Sequence, residues 1–348
     1  MRIFQKLTGI LLIGVLVAVS GSLAIAENNS TYDWTVNNPK ETEVIDHSYW
    51  GAILEKIVIE GSLENSRKFR SVPKTTSKLK PTSQSSPLKK GINLISYELV
   101  SKSIRARKAV SDYIKYLETF KPTSLSKDQQ IAFWLNLHNS VFVRTMLSKY
   151  PVRNMKKLGI EKRGTAEFYQ TKRVNIEGQD LSLYEIEQIV LLIGEGDQMV
   201  PYGLVLGSHS TPNVLNYSFA GEKVHAQLER AAGKFINSFG TKTSRKSITY
   251  SPFYEFYSDV YLSNGEEGLK HHLQSLASEK KLKSWAKKTG IKSMSMSKKL
   301  NELPTRTMAT MGIVTGIGMD GSINLPVFAA FESIGGFGPA AAGLPGTE

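Results

Sequence analysis

Ser208, His209 and Ser210 put two hydroxyls and an imidazole side by side inside the run Gly207-Ser208-His209-Ser210-Thr211-Pro212. A serine attacks a carbonyl only when a base within about 3 Å takes its proton and an acceptor orients that base. Immediate neighbours rarely meet that geometry, so a remote histidine is the better partner for either hydroxyl. His138 is the expected one, with Glu187 or Asn136 behind it. The G-x-S-x-G elbow is absent, because Ser208 follows Gly207 directly. The opposing reading is a turn whose hydroxyls cap their own backbone.

A second set of polar residues interrupts an apolar stretch. Asn136, His138 and Asn139 sit in the segment Lys127–Pro151 among Ile131, Phe133, Trp134, Leu135, Leu137, Val141, Phe142, Val143, Met146 and Leu147. Buried amides and imidazoles need hydrogen-bond partners. They either tie down loop backbone or, together with Glu187, line a binding site. Asn136 and Asn139 share a narrow face with Ala132 and Ser140, where another element can approach closely, and His138 points away from it. Metal ligation has little support: His271 and His272 are adjacent and diverge on a helix, and His225 has no ligating partner at helical spacing. No Gly-rich phosphate loop precedes a helix. Neither a metal nor a cofactor is expected.

These residues must be positioned by the elements around them. Apolar residues on nearly every side predict a buried helix over Lys127–Tyr150, opened by a capping box of Ser126 and Gln129 and closed by Pro151. Ser182 and Glu185 form a second capping box before a helix carrying Ile186, Ile189, Val190 and Ile193. Val200–Leu206 reads as a short buried strand that delivers the Gly207 loop, and Phe168–Ile176 as another strand. Helices are expected over Gly221–Phe239 and Leu269–Lys288, and Ile248–Tyr261 is strand-like or loop-like. The irregular mixture of helices and a few strands predicts an α+β fold: one mainly helical domain around a buried central helix, with a small sheet.

At the N-terminus, Arg2 and Lys6 precede an apolar run from Leu7 to Val19, and Ala24-Ile25-Ala26 offers a cleavage site. Residues 1–26 therefore read as a secretory leader, followed by a mobile stretch 27–45. The domain proper is expected over 46–290, with a basic Ser/Thr/Pro loop at 67–90, and a Gly-rich extension over 291–348. A chain of 348 residues with no cysteine has no disulfide, thiolate metal site or cysteine nucleophile. A formal charge of +13 favours an anionic envelope polymer or an acidic protein as partner. No nucleic-acid motif is present, and no retained membrane span is expected. The expected location is periplasmic or extracellular.

The order of several motifs resembles a known family. Asp46-His47-Ser48-Tyr49-Trp50-Gly51-Ala52-Ile53-Leu54, Gln130–Asn139, Tyr150-Pro151-Val152, Leu181–Leu191, Leu206–Pro212 and Phe253–Tyr257 are similar to the bacterial and plant "domain of unknown function 547" family. Its most specific signature is Trp-x-Asn-x-x-Asn, here Trp134, Asn136 and Asn139. The resemblance implies a histidine early in the 200–206 segment, a cysteine just before the glycine and a second cysteine before the proline. This chain has Pro201, Leu206 and Thr211 there. The family brings no settled activity. A scaffold kept without those reactive groups points to a non-catalytic binding or accessory module; the alternative is a hydrolase or transferase using a serine of the Gly207–Pro212 loop.

Overall fold

The central helix runs from Lys127 to Lys149, and its buried residues form an almost unbroken run from Gln129 to Leu147. Trp134 and Phe133 are fully buried, their rings edge-to-face at 5.1 Å, and Trp34 packs on Trp134 in the same way at 5.0 Å. Helices Tyr97–Lys102, Ile104–Leu117 and Leu183–Ile193 pack around it. This computed structural model describes residues 32–63, 65, 85–152 and 154–303. The leader 1–26, most of the loop 67–90 and residues 304–348 of the extension lie outside the described residues. Of the stretch 27–45, residues 32–45 are described, and Trp34 and Ile45 within it are buried. All the described helices and strands belong to a unit beginning at Trp34, and the fold is α+β. Among the described residues, no helix is long and apolar enough to cross a membrane.

The two capping boxes turn out differently. Ser182 and Glu185 bond reciprocally: the Glu185 amide donates to Ser182 Oγ at 3.2 Å, and the Ser182 amide donates to Glu185 Oε2 at 2.8 Å. Ser126 makes no side-chain cap. Gln129 lies instead against Gly221, where an added Cβ would come within 2.5 Å of its amide carbon. Tertiary packing has drawn that side chain away from the cap.

The expected strand over Phe168–Ile176 is a helical turn, Glu167–Gln170, followed by the strand Lys172–Ile176. Phe168 and Tyr169 are both buried, as a helical turn packed on its neighbours allows. The strand pairs antiparallel with Gln179–Ser182 through a turn in which Glu177 and Gly178 have φ of 49° and 80°.

Val200–Leu206 is not a strand. Val200–Gly203 is a 3-10 turn with Pro201 near its N-terminus, and among the described residues Leu204–Leu206 pairs with no strand. Gly203 fits tightly, since a Cβ there would meet Leu135 and Leu228 at 2.8 Å.

The expected helix over Gly221–Phe239 is a 3-10 turn, Gly221–Lys223, leading into the α-helix Val224–Asn237. The helix expected over Leu269–Lys288 is two, Gly265–Ser275 and Glu279–Trp285. The Asn237 side chain enforces the break: it donates to the Leu276 carbonyl at 2.8 Å and accepts from the Ser278 amide at 2.7 Å. The Ile248–Tyr261 stretch resolves into the strand Ser247–Tyr250 and two helical turns, Phe253–Phe256 and Ser258–Tyr261.

Three strands form the largest sheet: Thr241–Thr243 antiparallel to Ser247–Tyr250, which runs parallel to Gly290–Ser293. Beyond it, the segment Ser297–Leu303 crosses back over the domain. Its backbone bonds Met155 through Lys298, Gly207 through Asn301, and Ile95 through Asn301 and Leu303. It stitches the Gly207 loop to the Leu94–Ile95 strand.

Candidate functional site

The Gly207–Pro212 loop turns on Gly207, whose φ of 72° suits glycine; a Cβ there would sit 2.7 Å from the Phe142 ring. Both serines are engaged by one residue of the crossing segment. Ser208 Oγ donates to the Ser297 carbonyl at 3.0 Å, and Ser210 Oγ accepts from the Ser297 amide at 2.8 Å. Ser208 Oγ also accepts from the Ser210 amide at 3.1 Å, and Thr211 Oγ1 donates to the Ser208 carbonyl at 3.1 Å. Ser251 Oγ donates to the Ser210 carbonyl. Among the described residues, neither serine hydroxyl is hydrogen-bonded to a histidine. The nucleophile–base pair expected from the sequence is not assembled, because the hydroxyls cap backbone instead.

His209 does not serve them either. Burial first, then the charges of Lys299 and Lys90, lowers its pKa to about 4. It is neutral near pH 7, but its Nε2 is buried without a hydrogen-bond partner among the described residues, and its ring is held at the Leu300 backbone.

Asn136 and Asn139 each grip backbone by both ends of the amide. Asn136 Nδ2 donates to the Phe219 carbonyl at 2.8 Å and its Oδ1 accepts from the Phe219 amide at 3.0 Å. Asn139 Nδ2 donates to the Gly203 carbonyl at 2.9 Å, while its Oδ1 accepts from the Val205 amide at 3.0 Å. Within the buried Leu204–Leu206 stretch, Asn139 takes up the Val205 amide, and the Leu204 amide donates to the Pro201 carbonyl. Asn136 is therefore not behind a histidine. The two asparagines, one turn apart, hold the two ends of the segment Gly203–Phe219, which contains the serine loop.

His138 Nδ1 lies 3.1 Å from Asn139 Oδ1, and its Nε2 is buried without a hydrogen-bond partner among the described residues. Burial lowers its pKa, opposed by the nearby Glu187 carboxylate and the Asn139 bond. Glu187 does not orient it by a hydrogen bond. Both Glu187 oxygens accept from Arg163 Nε at 3.1 Å, and Oε1 also accepts from Nη2 at 3.0 Å. Burial is the largest influence and works against the Arg163 charge, but the Glu187 charge and hydrogen bond, with Tyr257 and Tyr169, together outweigh it and keep the guanidinium protonated. Arg163 also donates to the Ile160 carbonyl at 3.0 Å, and its guanidinium lies 4.7 Å from the Phe256 ring centroid and 5.2 Å from that of Tyr257. Sequence reasoning missed Arg163. One arginine in a basic chain carries no mark that it pairs with a carboxylate 24 positions away.

Among the described residues, no cluster of histidine and acidic side chains could hold a metal ion. Pro201, Leu206 and Thr211, where the resemblance implies a histidine and two cysteines, are all buried, Leu206 completely. Leu206 precedes the glycine as a core residue. Thr211 uses its hydroxyl on the local turn.

The family described as "Protein of unknown function, DUF547" matches residues 122–236. The chain carries a domain of that family. The matched segment holds the central helix, both bracing asparagines, the Arg163–Glu187 pair and the serine loop. Ser297, which engages both serines, lies outside it. No curated protein and no solved structure matches the chain.

Proposed function

We propose that the chain is an exported binding or accessory module of this family that does not catalyse. The observation that carries the reading is the double engagement of Ser208 and Ser210 by the backbone of Ser297, which leaves neither hydroxyl next to a base. An unactivated serine at its ordinary pKa is a poor nucleophile. The buried Leu206 and Thr211 support the reading, since neither can supply the thiolate that the family pattern implies.

The partner we propose is an anionic envelope polymer or an acidic protein. Lys242, Arg245, Lys246, Lys280, Lys283 and Lys287 are all exposed on or beside the three-stranded sheet and the Glu279–Trp285 helix. Of these, Lys283 alone has an acid partner among the described residues, Glu279 at 3.7 Å. Exposed charges of one sign attract a polyanion over about a Debye length, roughly 10 Å at 0.1 M salt.

The decisive experiment treats the purified chain with a fluorophosphonate probe and with peptide and ester substrates. Neither labelling nor turnover is expected. Labelling that disappears in Ser208→Ala or Ser210→Ala would establish the serine hydrolase instead.

A further inference from the structure

Beside the braced segment, a cleft of about 240 Å³ opens between the residues that follow the Val58–Ile59 strand, the stretch Leu215–Tyr217 and the Val224–Asn237 helix. Its polar wall is chemically mixed. Glu60 is held in an ion pair with Lys234, so that carboxylate is fixed and compensated. Arg230, one turn before Lys234 on the same helix, is exposed and has no acid partner among the described residues. Tyr217 lies close to both charges. Burial raises its pKa, Arg230 opposes that and Glu60 adds to it, so the phenol is a neutral donor near pH 7. The Asn216 amide makes no side-chain hydrogen bond among the described residues, and Leu215 and Ala231 supply apolar wall.

The walls are held before anything binds. Asn93 donates to the Val214 carbonyl at 2.7 Å and accepts from the Gly61 amide at 2.8 Å, while Asn213 accepts from the Asn93 amide at 2.8 Å. Gln227 ties the loop to the Arg230 helix, donating to the Ser218 carbonyl at 3.0 Å and accepting from the Ala220 amide at 2.9 Å. A site fixed in this way loses little freedom on binding.

We propose that this cleft binds a carboxylated sugar, the hexuronate unit of an acidic polysaccharide, with Arg230 as its carboxylate clamp. The inference rests on the proposed binding role and names its ligand. The planar guanidinium matches a carboxylate through two parallel N–H bonds. The Glu60 carboxylate, held by Lys234, accepts hydrogen bonds from ring hydroxyls, and Asn216 and Tyr217 offer further donors to them. Leu215 and Ala231 suit the C–H face of a pyranose. The volume equals about eight waters at about 30 Å³ each, which accommodates one sugar ring.

The test is calorimetry or NMR titration of the purified chain with glucuronate and galacturonate, beside glucose and inorganic phosphate. Millimolar binding of a hexuronate is expected, at least about tenfold weaker in Arg230→Gln and in Asn216→Asp. Lys157→Gln, on the Met155–Leu158 turn and outside the cleft lining, leaves it unchanged. Glucose bound as tightly as the uronates would overturn the proposal. So would phosphate bound more tightly, affinity unmoved by Arg230→Gln, or no uronate binding at about 50 mM. Cleavage of uronate oligomers would instead count against the non-catalytic role while leaving the cleft in place.

Discussion

Asn136 holds Phe219 by both of its backbone groups, donating to the carbonyl at 2.8 Å and accepting from the amide at 3.0 Å across 83 positions of chain. Both residues are buried. One side chain of the central helix thereby fixes the end of the loop that carries Leu215, Asn216 and Tyr217.

Replacing that amide by a methyl group strands a buried N–H and a buried C=O. At about 1–3 kcal/mol for each unsatisfied group, Asn136→Ala is expected to lose about 2–6 kcal/mol. Urea unfolding of the purified chain reads this directly. A loss below about 1 kcal/mol would show that the loop stays in place without its brace. Asn139→Ala is expected to cost a similar amount, because it strands Gly203 and Val205 in the same way.

The Arg163–Glu187 pair makes a sharper case, since its side chains are only 7% and 1% exposed. Arg163→Met leaves a carboxylate uncompensated in the core and is expected to cost about 3–5 kcal/mol. Arg163→Met with Glu187→Leu removes both charges and is expected to recover part of that loss. A double variant as unstable as the sum of the singles would mean that the pair contributes nothing as a pair.

How much of this was legible in the sequence depended on distance along the chain. The central helix was, because twenty-odd residues of apolar pattern and a following proline are local signals. The Ser182–Glu185 box was, because both partners lie within one turn. The Ser126–Gln129 box had the same spacing and failed, since Gly221 offered Gln129 a packing site that no local rule contains. The apolar run over 200–206 reads as a strand, yet Val200, Tyr202 and Leu204 donate to backbone three residues back, and the Gly203 carbonyl and Val205 amide go to Asn139 on the central helix. For the site, Asn136, His138 and Asn139 stand out in the sequence as buried polar groups needing partners, but the partners themselves are hidden. Ser297 lies 89 positions from Ser208 in a lysine- and serine-rich stretch without a motif, and its backbone carbonyl and amide engage Ser208 and Ser210 respectively.

His272 supplies a test in pH. Its Nε2 lies 2.8 Å from the Tyr202 hydroxyl inside the aromatic cluster of Tyr202, Tyr254 and Tyr261. Burial lowers its pKa to about 4, with Asp197 pulling upward and His271 downward. Above about pH 6.5 the ring is neutral in both the folded and the unfolded chain, and it adds no pH dependence. Between about 6.5 and 4 the unfolded chain takes up the proton and the folded chain does not, so stability falls with falling pH. Below about 4 both forms are protonated and the slope from this residue vanishes. His47, also buried and also lowered to about 4, adds to the same slope. His272→Gln is therefore expected to be less stable than the parent at pH 7 yet to lose less of its stability on going to pH 4.5. Thermal melts at pH 7, 5.5 and 4.5 measure this. Parallel pH profiles for parent and variant would mean that His272 takes its proton in the folded protein as readily as in water, and that the aromatic cluster opens to let it do so.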